Sequence, residues 1–173
     1  MIQSDTVRNT INFVLFQAGW FACVLYPGLP AVGFVLLLIG FHLAFISQHR
    51  MAELQFIGAG AVIGGVLDGV WFQTGILDDG TGSVELTPVW LIGLWAIFMT
   101  TLSHSLSWIN SRAWLPFVCA PFAGPFAYWS ASKLGAVELP DQTMSLVALA
   151  VGWLIVFPAL LYLRKFLYPE LAR

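Results

Sequence analysis

Residues 95–110 read W-A-I-F-M-T-T-L-S-H-S-L-S-W-I-N, residues 111–114 read S-R-A-W, and residues 115–128 read L-P-F-V-C-A-P-F-A-G-P-F-A-Y. The segment is apolar enough to lie in a lipid bilayer, yet it contains a histidine, a run of hydroxyl side chains and three prolines. A helix that only spans a membrane needs none of these groups. The pattern predicts two antiparallel membrane helices joined at Asn110-Ser111-Arg112, with polar groups that serve either packing or binding.

The composition of the 173-residue chain indicates the same environment. Hydrophobic residues make up 59% of the chain, charged residues make up 9%, and the mean hydropathy is +0.84. In soluble domains about a quarter of the residues are charged. The net charge of −2 provides no basic field for nucleic acid, and two cysteines without C-x-x-C spacing exclude a disulfide scaffold or a zinc ribbon. We therefore expect an all-α, polytopic membrane protein with a single domain over residues 1–173.

Six apolar segments have about the 20 residues that a helix needs to cross the hydrocarbon core. The predicted spans are Asn9–Tyr26, Leu29–Ser47, Glu53–Thr74, Pro88–Ser107, Arg112–Lys133 and Thr143–Leu163. The breakers in Pro27-Gly28-Leu29-Pro30 predict a tight hairpin between the first two spans. Asp141 or Thr143 is predicted to cap the sixth helix.

The basic residues predict the orientation of this bundle of six transmembrane helices. With six spans, both termini lie on the same side as residues 48–52 and 110–112. That side carries Arg8, Arg50, Arg112, Arg164, Lys165 and Arg173, whereas the opposite side carries only Lys133. By the positive-inside rule, both termini are expected to be cytoplasmic.

Asp68 is the one acidic residue predicted to lie clearly inside a span. The same helix contains G-x-x-x-G at Gly60–Gly64 and Gly65–Gly69, which predicts close packing with its neighbours and a central position. An ionisable group at membrane depth is costly unless it is paired or used. Asp68 is therefore either a binding residue for an ion, a proton or a head group, or a structural acid hydrogen-bonded to Gln73 or to a tryptophan.

Asn12, His42 and His104 come from three different spans and are predicted to reach a similar depth near the cytoplasmic side. Thr101 and Trp108 are expected to share one face of the fourth helix with His104. Two histidines could ligate a haem or a metal, one could act as a base, and the pocket could bind a head group or a quinone. The alternative is hydrogen bonding between helices. Because no H-x-x-x-H spacing occurs, no metal is predicted, and the cofactor is left unassigned.

Pro116, Pro121 and Pro125 interrupt the fifth span. Each removes a backbone donor, so this helix is predicted to be kinked or broken, either as a fixed bend or as the lining of a transport site. A pocket is expected between helices four and five, open towards the cytoplasmic leaflet. Gln17, in the middle of the first span, is expected to need a polar partner.

Three motifs, in this order along the chain, resemble one family of small bacterial inner-membrane proteins, the domain-of-unknown-function 2878 family. They are Asn12-Phe13 with Gln17 and Trp20-Phe21-Ala22-Cys23-Val24-Leu25, then Leu102-Ser103-His104-Ser105-Leu106, then Gly124-Pro125-Phe126-Ala127-Tyr128 with Lys133-Leu134-Gly135-Ala136. The resemblance implies a bacterial inner (plasma) membrane location. It also implies genes beside cyclopropane-fatty-acid-synthase-like methyltransferases and flavin oxidoreductases, and hence a link to membrane-lipid modification. It assigns no activity to any residue.

Three functions remain as hypotheses. The first is an accessory or lipid-binding protein for membrane fatty-acid or phospholipid modification. The second is a small transporter or flippase that uses Asp68 and a broken fifth helix, and the third is a membrane enzyme or cofactor-binding protein that uses His104. The expected partners are membrane lipids, lipid-modifying enzymes at the cytoplasmic face and a second copy of the chain. The candidate binding residues are Asn12, Gln17, His42, Asp68, Thr101, His104 and Tyr128, and His104 is also the candidate catalytic residue.

Overall fold

A computed structural model describes residues 4–81 and 87–172 of the protein. Within these ranges the chain is all-α, as predicted, and one isolated bridge is the only extended pairing. The six helices are α1 (Asp5–Leu25), α2 (Leu29–Phe45), α3 (Arg50–Gln73), α4 (Val89–Leu102), α5 (Leu115–Lys133) and α6 (Gln142–Leu167). Two short 3-10 helices, Ser107–Ser111 and Pro169–Leu171, complete the described structure.

Helix α4 packs against α1, α2 and α3, whereas α5 packs mainly against α6. Contacts between α3 and α6 join the two groups. Glycines allow α3 to approach α4, because a Cβ atom at Gly60 would overlap Met99 and one at Gly64 would overlap the Trp95 ring. The predicted role of the Gly60–Gly64 pair in close helix packing is therefore confirmed.

Hydrogen bonds define the two ends of the bundle. At one end, His42 near the end of α2 lies within hydrogen-bond distance of Asn12 in the first half of α1 and of Glu53 near the start of α3. We call this the terminal end. At the opposite end, Asp78 and Glu138 pair through their backbones, with N···O distances of 3.1 and 2.7 Å.

Two predicted helix boundaries are confirmed. The chain turns between α1 and α2 at Gly28, whose φ of 148° is reached readily by glycine and rarely by other residues. Asp141 caps α6, since its Oδ1 accepts a hydrogen bond from the backbone N–H of Met144 at 3.0 Å.

The fourth helix ends earlier than predicted. We expected a span to Ser107, but α4 ends at Leu102 and has 14 residues. The hydroxyls of Thr100 and Thr101 donate to carbonyls of their own helix, at Ile97 and Phe98, and such bonds weaken a helix. The guanidinium of Arg164 donates to the carbonyl of Leu102 and so satisfies one of the groups left free at the helix end.

The fifth helix was predicted to be kinked or broken, and the broken form is wrong. Helix α5 runs from Leu115 to Lys133 with Pro121 and Pro125 inside it. Pro116 lies in the first turn, where backbone N–H groups have no carbonyl partner within the helix, so the missing N–H costs no hydrogen bond. The helix also begins at Leu115 and not at Arg112, because a 3-10 helix and a turn occupy the preceding residues.

The outside of the described structure is apolar, while several polar side chains lie inside it. Leu37, Phe122 and Phe126 are 73%, 73% and 65% exposed, whereas Asn12 and Asp68 are fully buried. By length and composition, α3 and α6 can each cross a membrane. The apolar helices α2 and α4 are shorter, so the six-span arrangement remains a prediction.

Candidate functional site at the terminal end

Glu53 is the centre of the polar cluster at the terminal end. The side chain, in the first turn of α3, is only 1% exposed. Its Oε1 lies 2.7 Å from Nε2 of His42 and 3.0 Å from Nε2 of His104. The two imidazole rings meet edge to face, with their centroids 4.8 Å apart. We call His42, Glu53 and His104 the histidine–glutamate cluster.

Asn12 extends this cluster to α4 and to the turn that follows it. Its Oδ1 accepts hydrogen bonds from the backbone N–H and the hydroxyl of Ser105, at 3.2 and 2.6 Å. Its Nδ2 lies 3.0 Å from Oγ1 of Thr100 and 3.4 Å from Nδ1 of His42. Asn12, His42 and His104, which were predicted to reach a similar depth, are thus brought together in one network.

These contacts determine the tautomer of His42. A backbone N–H can only donate, so the bond from Ser105 identifies the Asn12 oxygen and directs the amide –NH₂ group towards His42. Nδ1 of His42 must then accept, and the ring proton lies on Nε2, where it is donated to Glu53. The arrangement is a continuous hydrogen-bonded network in a buried site.

The same three residues are also possible metal ligands. Each offers one ligand atom, these atoms lie within 4.8 Å of one another, and two imidazoles with one carboxylate form a donor set known from metal sites. However, a metal on Nε2 of His42 would move the ring proton to Nδ1, which faces the donor group of Asn12. The distances from Glu53 to the two histidines are also ordinary hydrogen-bond lengths. The geometry favours hydrogen bonding over metal ligation.

A polar cavity of about 180 Å³ opens beside the cluster. It is lined by α1, the turn before α3, the segment after α4 and the second 3-10 helix. The titratable groups in this lining are those of Asp5, Arg8, His49, Glu53, His104 and Glu170. Arg8 and Ser103 line this cavity. Nε of Arg8 and Oγ of Ser103 are themselves enclosed and have no hydrogen-bond partner among the described residues, which is unusual for buried polar atoms.

The cavity is not where the sequence placed it. We expected a pocket between helices four and five, but α4 packs on α1, α2 and α3, whereas α5 packs on α6. The prediction also had His104 on a helical face shared with Thr101 and Trp108. Because α4 ends at Leu102, His104 lies on the following turn and Trp108 lies in a 3-10 helix. Thr101 donates to the carbonyl of Phe98 in its own helix.

Asp68 forms a separate buried site nearer the opposite end. It accepts hydrogen bonds from Nε1 of Trp95, at 2.8 Å, and from the hydroxyl of Tyr128. One of the two partners considered for a structural acid was a tryptophan, and this contact is present. Tyr128 is thus joined to Asp68 and not to the terminal-end cluster. Gln17 is half-buried and makes no hydrogen bond with the described residues.

Glu53 was not among the residues predicted for the site. It was predicted only as the first residue of the third span, whereas α3 begins at Arg50 and the Glu53 side chain is buried in its first turn. A signal was available: His42 and Glu53 are separated by 11 positions across a short turn, so an antiparallel pair of helices places them at equal depth.

Comparison with known proteins gives a family but no activity. No curated protein and no solved structure matches the chain. The family model described as "Protein of unknown function (DUF2878)" matches residues 9–159, a range that includes Asn12, His42, Glu53 and His104. The chain therefore belongs to the DUF2878 family.

Proposed function

We propose that the protein spans the bacterial inner membrane six times, with both termini in the cytoplasm, and binds a phospholipid head group in the cavity at the terminal end. The observation that carries the membrane part is the distribution of polarity. Side chains such as Leu37, Phe122 and Ile155 are 73%, 73% and 66% exposed. Apolar surface of this extent is unusual on a soluble monomer and suits a lipid environment. The basic residues at the terminal end support the orientation.

The chemistry of the cavity supports the choice of ligand. Arg8 lines the cavity and provides positive charge there, although the same side chain also pairs with Asp5. Asp5, Glu53 and Glu170 line the same cavity and provide negative charge. A head group with a phosphate and an ammonium matches both signs, with the phosphate at Arg8 and the ammonium at the carboxylates. The cavity lies where head groups of the cytoplasmic leaflet would be found in this orientation.

The wider role that we propose is that of an accessory protein in membrane-lipid modification. A protein that holds one head group at the membrane surface could present that lipid to an enzyme acting from the cytoplasm. The transporter hypothesis loses one of its two supports because α5 is continuous. Its other support, Asp68, is fully buried and hydrogen-bonded to Trp95 and Tyr128.

Calorimetry with the purified full-length protein in lipid nanodiscs tests the proposal. We expect glycerophosphoethanolamine to bind more tightly than glycerol phosphate or ethanolamine, because only the first carries both charges. The Arg8→Gln change should weaken this binding about tenfold, as loss of a charge-assisted hydrogen bond does. Arg112→Gln, an exposed change at the same end, is the matched control and should leave binding unchanged.

In cells, a deletion strain should have an altered fatty-acid profile that the wild-type gene restores and the Arg8→Gln gene does not. Absence of glycerophosphoethanolamine binding, or equal binding by both arginine variants, would refute head-group recognition in this cavity. An unchanged lipid profile in the deletion strain, under stress as well as in normal growth, would refute the accessory role.

A further inference from the structure

One imidazole nitrogen of the histidine–glutamate cluster, Nδ1 of His104, takes no part in the hydrogen bonds of the cluster. Asn12 determines the tautomer of His42, which carries its proton on Nε2. That Nε2–H donates to the carboxylate of Glu53. His104 meets the same oxygen through Nε2 at 3.0 Å. A carboxylate only accepts, so Nε2 of His104 carries the proton and Nδ1 keeps its lone pair. Nδ1 makes no hydrogen bond with the described residues.

His104 also reaches the cavity, in contrast to His42. Its side chain is 11% exposed and borders the cavity, whereas the side chain of His42 is 0% exposed. A carboxylate that holds one imidazole nitrogen and leaves the other free for a ligand is the arrangement by which proteins orient a histidine base. The second donor to Glu53, His42, holds the carboxylate in position.

We propose that His104 is a proton-accepting catalytic residue at the cavity and that Glu53 is its positioning residue. In the proposed step, an O–H or N–H bond of the bound ligand breaks and a bond forms between that proton and Nδ1 of His104. The electron pair stays on the ligand oxygen or nitrogen. Return of the same proton from Nδ1 to that atom reverses the step, which therefore balances without an oxidant, a reductant or a second reactant.

The class of substrate follows from the cavity and rests on the function proposed above. A head-group ammonium held by Glu170 would present its N–H bonds to His104, which lines the same cavity. The part of the ligand that gives up a proton is then the ammonium, or a hydroxyl in its place, and not the phosphate. Ser103 and Arg8 then bind the phosphate.

Acylation by diethylpyrocarbonate tests the base, because this reagent attacks an imidazole nitrogen that carries a free lone pair. The three histidines provide internal standards. His49 is exposed and reports the ordinary reaction, while the fully buried His42 should react only if the protein unfolds. In the full-length protein in nanodiscs we expect His104 to react at Nδ1 and glycerophosphoethanolamine to slow that reaction.

The decisive quantity is the rate at His104 divided by the rate at His49. In Glu53→Gln this ratio should fall about tenfold, because an amide does not hold the tautomer as a carboxylate does. If His42 becomes reactive in that variant, Glu53→Asp, which keeps the carboxylate but shortens its reach, replaces it and should lower the ratio likewise. An unchanged ratio in a variant with His42 protected, or no reaction at His104 in the wild type, would overturn the proposal. A lowered ratio without head-group binding would retain the base and refute the proposed ligand.

Discussion

Replacing Glu53 with alanine is expected to destabilise the protein by about 2–6 kcal/mol, since each buried donor left without its acceptor costs about 1–3 kcal/mol. The side chain is 1% exposed and is the acceptor for both His42 and His104. Alanine would leave two imidazole N–H groups in a buried site without that acceptor, and no group of similar shape would fill the space. The free energy of unfolding can be measured by denaturant titration in detergent micelles.

Glu53→Gln separates the loss of charge from the loss of the acceptor. Glutamine keeps one oxygen near the histidines, so we expect a smaller loss of about 1–2 kcal/mol. Glu138→Gln is the matched control, because Glu138 is exposed at the opposite end, and its effect should be within about 0.5 kcal/mol. Equal stability of Glu53→Ala and Glu138→Gln would show that the cluster does not stabilise the fold.

Gly64→Ala is expected to destabilise the contact between α3 and α4 by about 1–3 kcal/mol, as overpacking in a tight core does. A Cβ atom at this position would lie well within 3.0 Å of the Trp95 ring. The ring cannot move aside easily, because it stacks on Trp153 at 5.0 Å and donates from Nε1 to Asp68. The two helices would have to separate, and the hydrogen bond to Asp68 would lengthen.

Gly58→Ala provides the control within the same helix. No atom lies within 4 Å of a Cβ at Gly58, so the substitution meets open space. Alanine favours a helix over glycine by about 0.5–1 kcal/mol, so this variant should be slightly more stable than the wild type. The same unfolding measurement checks both variants. If the two glycine variants had equal stabilities, close packing of α3 on α4 through Gly64 would be contradicted.

Local chemistry explains which parts of the fold were predictable. Proline and glycine at 27–30 determine a turn whatever surrounds them, and the Asp141 side chain caps α6 by accepting from the nearby backbone N–H of Met144. The end of α4 also involves Arg164, which lies 62 positions away from Leu102 and donates to its carbonyl. No pattern near Leu102 reveals that contact. The break allowed for in the fifth helix does not occur, because two prolines remove two backbone bonds and the other bonds of the helix persist.

The sequence predicts how deep the residues of the candidate site lie in the bundle, but it does not predict which side chains contact one another. Counting along the spans placed Asn12, His42 and His104 together, and the hydrogen bonds bear this out. The same counting assigned Glu53 to the membrane surface, so the residue that joins the two histidines was missed. It also could not show that Tyr128 belongs with Asp68, 60 positions away, because such a pair depends on how α5 is rotated against α3.

The central claim is that the cluster lies at the cytoplasmic end of a membrane-spanning bundle. Cysteine accessibility tests this claim most directly. Gln48→Cys and Glu138→Cys place a thiol at exposed positions of the terminal and opposite ends. The wild type, with Cys23 buried and Cys119 half-buried, sets the background. With a membrane-impermeant maleimide on spheroplasts, we predict that position 138 is labelled at once and position 48 only after the membrane is permeabilised. Labelling of position 48 from outside, or recovery of the protein in the soluble fraction, would contradict the account.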